Sequence, residues 1–138
     1  MAVDQPEYRG AEDPGGAALG GVLFAASMMV LIGVFQAIAG LAAIMDDEFY
    51  VVAPNYTYDI DVTGWGWIHL IIGVVVFVGG LALFQRRVWA GYLAVALAVV
   101  SAIANFFFIP YYPFWAIVVI AIDVFVIWAI TRPGALLR

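Results

Sequence analysis

Hydrophobic and polar positions along this chain fall into long blocks instead of alternating residue by residue. The block from Trp65 to Arg87 sets the pattern: two indole rings, an unbroken apolar run, then the pair Arg86-Arg87. This is the order of interfacial anchor, hydrocarbon core and stop that marks a transmembrane helix, which needs about 20 apolar residues to cross a bilayer. The same order recurs on both sides. A first span is predicted over 21–45, stopped by Asp46-Asp47-Glu48, and a second over 67–84. Gln85-Arg86-Arg87 leaves room only for a tight turn into a third span at 88–109. Pro110-Tyr111-Tyr112-Pro113 breaks that span, because a proline and the residue before it both resist continuing a helix. A fourth span is predicted over 114–130, closed by Thr131-Arg132-Pro133-Gly134.

The fold expected from this pattern is all-α and membrane-embedded. It is a four-transmembrane-helix antiparallel bundle occupying 19–132, between a disordered acidic tail at 1–18 and a short tail at 133–138. The one sizeable connection, between Asp46 and Gly64, places β-branched and aromatic residues on either side of Ala53-Pro54-Asn55. That composition predicts a short β-hairpin-like loop. Gly21-Val22-Leu23 recurs as Gly91-Tyr92-Leu93, and Val76-Phe77-Val78 as Val124-Phe125-Val126. Either a duplicated hairpin or the chance likeness of Val-rich helices accounts for this.

Charge adds an orientation. All the basic residues are arginines, and Arg9, Arg86-Arg87, Arg132 and Arg138 fall on one side of an up-down-up-down bundle. The positive-inside rule then predicts a multi-pass protein of the plasma membrane with both termini cytoplasmic. A net charge of -5 argues against nucleic-acid binding, which needs basic surface to neutralise phosphates. The absence of cysteine closes thiolate, disulfide and Cys-ligated metal chemistry. Asp46, Asp47, Glu48, Asp59 and Asp61 lack the ligand spacing of a calcium loop and read as a solvated acidic segment.

The functional question reduces to five polar side chains inside the spans: Gln36, His69, Ser101, Asn105 and Asp123. Such groups are expensive in lipid and usually face the bundle interior. His69, Gly73, Val76 and Gly80 share one helix face, as do Gly91, Ala94, Ala98, Ser101 and Asn105. Small residues on a common stripe let helix backbones approach closely. Counted at about 1.5 Å per residue, His69 and Asn105 lie beneath the outer interface, and Gln36 and Asp123 near mid-bilayer. An outer-half polar pocket floored by Gln36 and Asp123 is one expectation. Side chains that only hold the helices together are the other. One histidine cannot supply a bis-imidazole or multi-histidine metal site within one chain, so neither a metal nor another cofactor is expected.

At Asp47-Glu48-Phe49-Tyr50-Val51-Val52, Gly64-Trp65-Gly66-Trp67-Ile68-His69-Leu70 and Ser101–Trp115 the chain resembles a family of small actinobacterial four-helix membrane proteins. That family is defined only as a domain of unknown function. The likeness runs from about Gly20 to Thr131, and Trp67-Ile68-His69, Ala104-Asn105 and Ile122-Asp123 fit its pattern. It implies the same topology and brings no activity with it.

Two functions from different classes are therefore expected. The first is a non-enzymatic accessory or interaction subunit, with the lipid bilayer and either its own copies or a larger membrane complex as partners. The alternative is a small oligomeric transporter, channel, or lipid- or quinone-binding protein that uses the polar pocket. A membrane enzyme ranks below both, because one histidine and one intramembrane carboxylate are all that acid-base chemistry would have.

Overall fold

The computed structural model describes residues 13–45 and 62–137. They form four α-helices: α1 Gly16–Met45, α2 Val62–Phe84, α3 Val88–Phe108 and α4 Pro113–Thr131. Each is long and apolar enough to cross a membrane. Among the described residues there is no β-strand, only an isolated bridge between Arg87 and Leu137. The segment expected to form a hairpin-like loop, and residues 1–12 of the expected tail, lie outside the described residues.

Two helices begin earlier than hydropathy alone predicts. α1 starts at Gly16 and not Gly21, within the stretch read as a tail. Gly15 makes the entry with a positive φ of 79°, and its N–H donates to Asp13 Oδ1 at 3.0 Å. α2 starts at Val62, ahead of Trp67. Glycine-rich first turns carry little hydrophobic signal, so the apolar window opens after the helix does. At the start of α4, Pro113 takes the first helical position, where a missing N–H costs no hydrogen bond.

The helices run antiparallel in sequence, giving a terminal end (the start of α1, the α2–α3 turn and the end of α4) and an opposite loop end. α1 packs most extensively on α2 and α3 on α4; α1–α4 and α2–α3 contacts join the two hairpins. The α1–α2 approach is governed by glycine. On α1, Ala26, Gly33 and Gly40 repeat every seven residues; on α2, Gly66, Gly73 and Gly80 do the same. They meet in antiparallel register. A Cβ on Gly40 would stand 2.6 Å from Gly66 O, one on Gly73 2.8 Å from Gly33 O, and one on Gly80 3.0 Å from Ala26 O. Backbone therefore lies on backbone along the whole hairpin, and a strict seven-residue repeat keeps two helices in contact over several turns. Lipid chains give apolar helices no hydrophobic reason to associate, so close packing of this kind supplies the cohesion.

The buried core that joins the hairpins is one-sided. Val22, Ala25, Ala26 and Met29 of α1, Val76 and Leu83 of α2, Ala90, Ala94 and Ala98 of α3, and Val126 and Ile130 of α4 form it, all from the terminal half or the middle of their helices.

The terminal end is also tied by the chain itself. Arg86 N–H donates to Leu83 O at 2.8 Å and Arg87 N–H to Ala82 O at 3.1 Å, the bond pair of a Schellman cap. Its left-handed position, normally glycine, is held by Arg86 at φ 59°. Pro133 and Gly134 (φ 77°) make a turn closed by Ala135 N–H to Arg132 O, which brings the last residues back to Arg86. The guanidinium donates to Gly134 O and to Ala135 O (2.7 Å for the latter), Leu137 N–H donates to Arg86 O, and Ala135 is fully buried.

Candidate functional site

The glycine ladder fixes where the polar residues of the first hairpin stand. Because Gly40 faces Gly66 and Gly33 faces Gly73, Gln36 of α1 lies level with Leu70 of α2, one residue from His69. Both also occupy stripes that turn toward the second hairpin. On α1 the stripe is Val22, Met29, Gln36 and Ala43, at seven-residue spacing; on α2 it is Leu83, Val76 and His69. Val22 and Leu83 are fully buried, Met29 and Val76 nearly so, and Gln36 and His69 only half-buried. A neighbouring α2 stripe shows the same gradient, from buried Gly79 through Ile72 at 45% exposure to Trp65 at 55%. Surfaces that pack hairpin on hairpin at the terminal end thus stay partly uncovered toward the loop end.

His69 Nδ1 lies 3.1 Å from Trp65 O, and the two rings meet at a 41° tilt with 4.3 Å between centroids. A carbonyl oxygen can only accept, so in the neutral ring the hydrogen sits on Nδ1 and Nε2 is left as an acceptor. Asn105 Nδ2 donates to Ser101 O, one turn back on α3, at 2.9 Å. Ser27 and Thr131 likewise donate to Leu23 O and Ile127 O of their own helices. Return bonds of this kind satisfy a polar side chain in lipid without a partner helix.

Asp123 differs. It sits mid-way along α4 at 9% exposure and is the only Asp, Glu, Lys or Arg in the four helices. The Ser101 hydroxyl of α3 stands within hydrogen-bonding reach of its carboxyl. Its second oxygen, Oδ2, is fully enclosed and has no hydrogen-bond partner among the described residues.

Of the five residues singled out by sequence, the structure brings Ser101 to Asp123 and sets Gln36 level with His69. None of Gln36, His69 and Asn105 hydrogen-bonds Asp123. Among the described residues no three His, Asp or Glu side chains gather as a metal set. A shallow hollow of about 320 Å³ lies elsewhere, at the terminal end, lined by Asp13, Pro14, Gly15, Arg132 and Pro133. Sequence reasoning placed Gly73 and Gly80 on a close-packing stripe, but missed their α1 partners, the Gly66 rung and the Arg86 tie. The spacing of Gly66, Gly73 and Gly80 was the available signal for the ladder. The Arg86 tie had none, since the left-handed turn position is occupied by an arginine.

Four antiparallel helices of bilayer-crossing length, closely packed glycines and a single enclosed carboxyl define a multi-pass membrane helix bundle. Within that class the chain belongs to the DUF7144 family, described as a domain of unknown function, whose model matches residues 21–135. No curated protein and no solved structure matches it.

Proposed function

We propose that this chain is a non-enzymatic interaction subunit of the plasma membrane, both termini cytoplasmic, that binds transmembrane helices of its own copies or of a larger complex through the loop-end seam between its hairpins. The observation that carries this reading is the burial gradient along Val22, Met29, Gln36 and along Leu83, Val76, His69. These stripes are shaped for helix packing and half-filled by the chain's own helices. Gln36 and His69 sit where they open, and interhelical hydrogen bonds from such side chains add roughly 0.6 kcal/mol each in membranes. Arg86, Arg87 and Arg132 at the terminal end support the orientation through the positive-inside rule.

The natural absence of cysteine gives a direct test. A single Gln36→Cys chain, expressed in its native membrane and treated with a short thiol cross-linker, should yield a dimer band or an adduct with a second protein. A Val100→Cys control, on an exposed face of α3, should yield neither. Equal cross-linking at both positions would refute the seam as the interface.

A second reading assigns the same half-open seam to a lipid or quinone in a small oligomeric transporter or binding protein. The Nε2 of His69, which has no hydrogen-bond partner among the described residues, favours it as an acceptor for a ligand hydroxyl. Native mass spectrometry from gentle detergent separates the two, because a retained lipid-sized mass on the assembly supports this reading and an assembly without it supports the first.

A further inference from the structure

We infer that Asp123 and Ser101 form an intramembrane proton-binding site, at which the Asp123 carboxyl holds and exchanges a proton at the middle of α4. This goes beyond the interaction role and does not depend on it.

Among the described residues the carboxyl has no counter-charge. α4 packs on α3 and α1. Along its whole length α1 carries no ionisable side chain, and α3 carries only Tyr92, which is exposed and lies more than two turns from Ser101 toward the terminal end. α4 itself has no second ionisable group, and among the described residues α2, the helix of His69, makes no packing contact with α4. Arg86, Arg87 and Arg132 are all at the terminal end.

The choice of occupant follows from the donor set. A metal cation wants several oxygen ligands, whereas the site offers one carboxyl and one hydroxyl. A proton needs only these. Placed on the oxygen that faces Ser101, it is donated to Ser101 Oγ, and the enclosed Oδ2 becomes a neutral carbonyl oxygen. An unpaired neutral acceptor is far less costly in a low-dielectric interior than a bare carboxylate. On release the proton passes to a water molecule or hydroxide, and the carboxylate then accepts the Ser101 hydrogen instead. Ser101 is half-buried, and Asn105 follows it on the same α3 stripe, one turn nearer the loop end. Asn105 Nδ2 is bonded to Ser101 O, so a second polar side chain stands beside Ser101 on the loop side.

Hydrophobic carbodiimides test the site because they add a protonated carboxyl across a C=N bond. The acid hydrogen moves to nitrogen, and the O-acylisourea rearranges to a stable N-acylurea with no leaving group. The full chain in phosphatidylethanolamine and phosphatidylglycerol vesicles would be treated across a pH series, and the α4 peptide weighed by mass spectrometry. Expected is an adduct on Asp123 whose yield falls about tenfold per pH unit beyond its midpoint. Asp123→Asn should lose the α4 adduct, and Ser101→Ala should keep it with a displaced midpoint. An adduct yield that ignores pH, an adduct that persists in Asp123→Asn, or no adduct on a chain shown folded by tryptophan fluorescence would overturn the proposal. So would protection of Asp123 by sodium chloride relative to choline chloride at fixed pH, since the occupant would then be sodium.

Discussion

Replacing Gly33 by alanine tests the claim that α1 and α2 are held backbone to backbone. The added Cβ would lie 2.5 Å from Phe77 N, 2.7 Å from Phe77 Cα and 2.8 Å from Gly73 O, all main-chain atoms that no rotamer change can move. Reaching ordinary contact near 3.5 Å requires the helices to part by about 1 Å, and a gap of that size forfeits a quarter to a half of each dispersion contact it opens. The strain cannot stay local, because the Gly40–Gly66 and Ala26–Gly80 rungs lie one heptad away on either side. Overpacking of this kind costs about 1–3 kcal/mol. Alanine's better helix propensity returns up to about 1 kcal/mol, which leaves the overpacking dominant. The expected net loss is about 1–2 kcal/mol, a factor of roughly 5–30 in the folded-to-unfolded ratio. Gly20 is the control, since nothing lies within 4 Å of a Cβ built there, so Gly20→Ala should keep only the propensity gain. Both variants would be titrated with dodecyl sulfate in mixed micelles and followed by tryptophan fluorescence. If Gly33→Ala unfolds at the same detergent fraction as Gly20→Ala, the ladder does not hold the hairpin together.

Other substitutions probe the ends of the bundle and the self-contained polar groups. Arg86→Ala should free the residues after Arg132 to carboxypeptidase, since it removes two donors to main-chain carbonyls and keeps the strained φ. Arg86→Gly also loses the guanidinium but relieves the left-handed backbone by about 1–2 kcal/mol, so its detergent midpoint should exceed that of Arg86→Ala. His69→Phe keeps the ring on Trp65 and loses one same-helix hydrogen bond; a stability change below about 1.5 kcal/mol is expected in the same titration, and a larger one would mean that His69 holds helices together. Arg132→Gln removes a guanidinium 4.8 Å above the Trp128 ring and should shift the tryptophan emission while costing less than about 1 kcal/mol.

The four helices were legible because bilayer crossing demands long uninterrupted apolar runs, and the turns because proline and paired arginines interrupt them. The buried faces at Gly91, Ala94 and Ala98 were legible from helical spacing. What sequence could not supply was rotation and depth of contact. Nothing in the run from Gly33 to Gly40 shows that these glycines face α2 until the heptad on each helix is set against the other in antiparallel register. Asn105 and His69 read as groups that should bond across helices, yet each closes on its own preceding turn, an option open to any short polar side chain on a helix. Asp123 had no such option within reach of its second oxygen, and only the packed geometry reveals it.

The distribution of small residues explains where this bundle is open. α1 and α2 carry glycine on at least one side at every second turn of their contact, so their cohesion is spread along the full span. The inter-hairpin contact relies on alanine and valine and stops near Met29, Val76 and Ala98. Beyond that level an acyl chain can cover Ile32 or Ile72 as well as another helix could, because dispersion alone scarcely separates the two. It cannot satisfy the amide of Gln36 or the second ring nitrogen of His69. A partner that brings its own hydrogen-bonding group has an advantage over lipid at that height only, which makes the level of Gln36 and His69 the place where occupancy of the seam is decided.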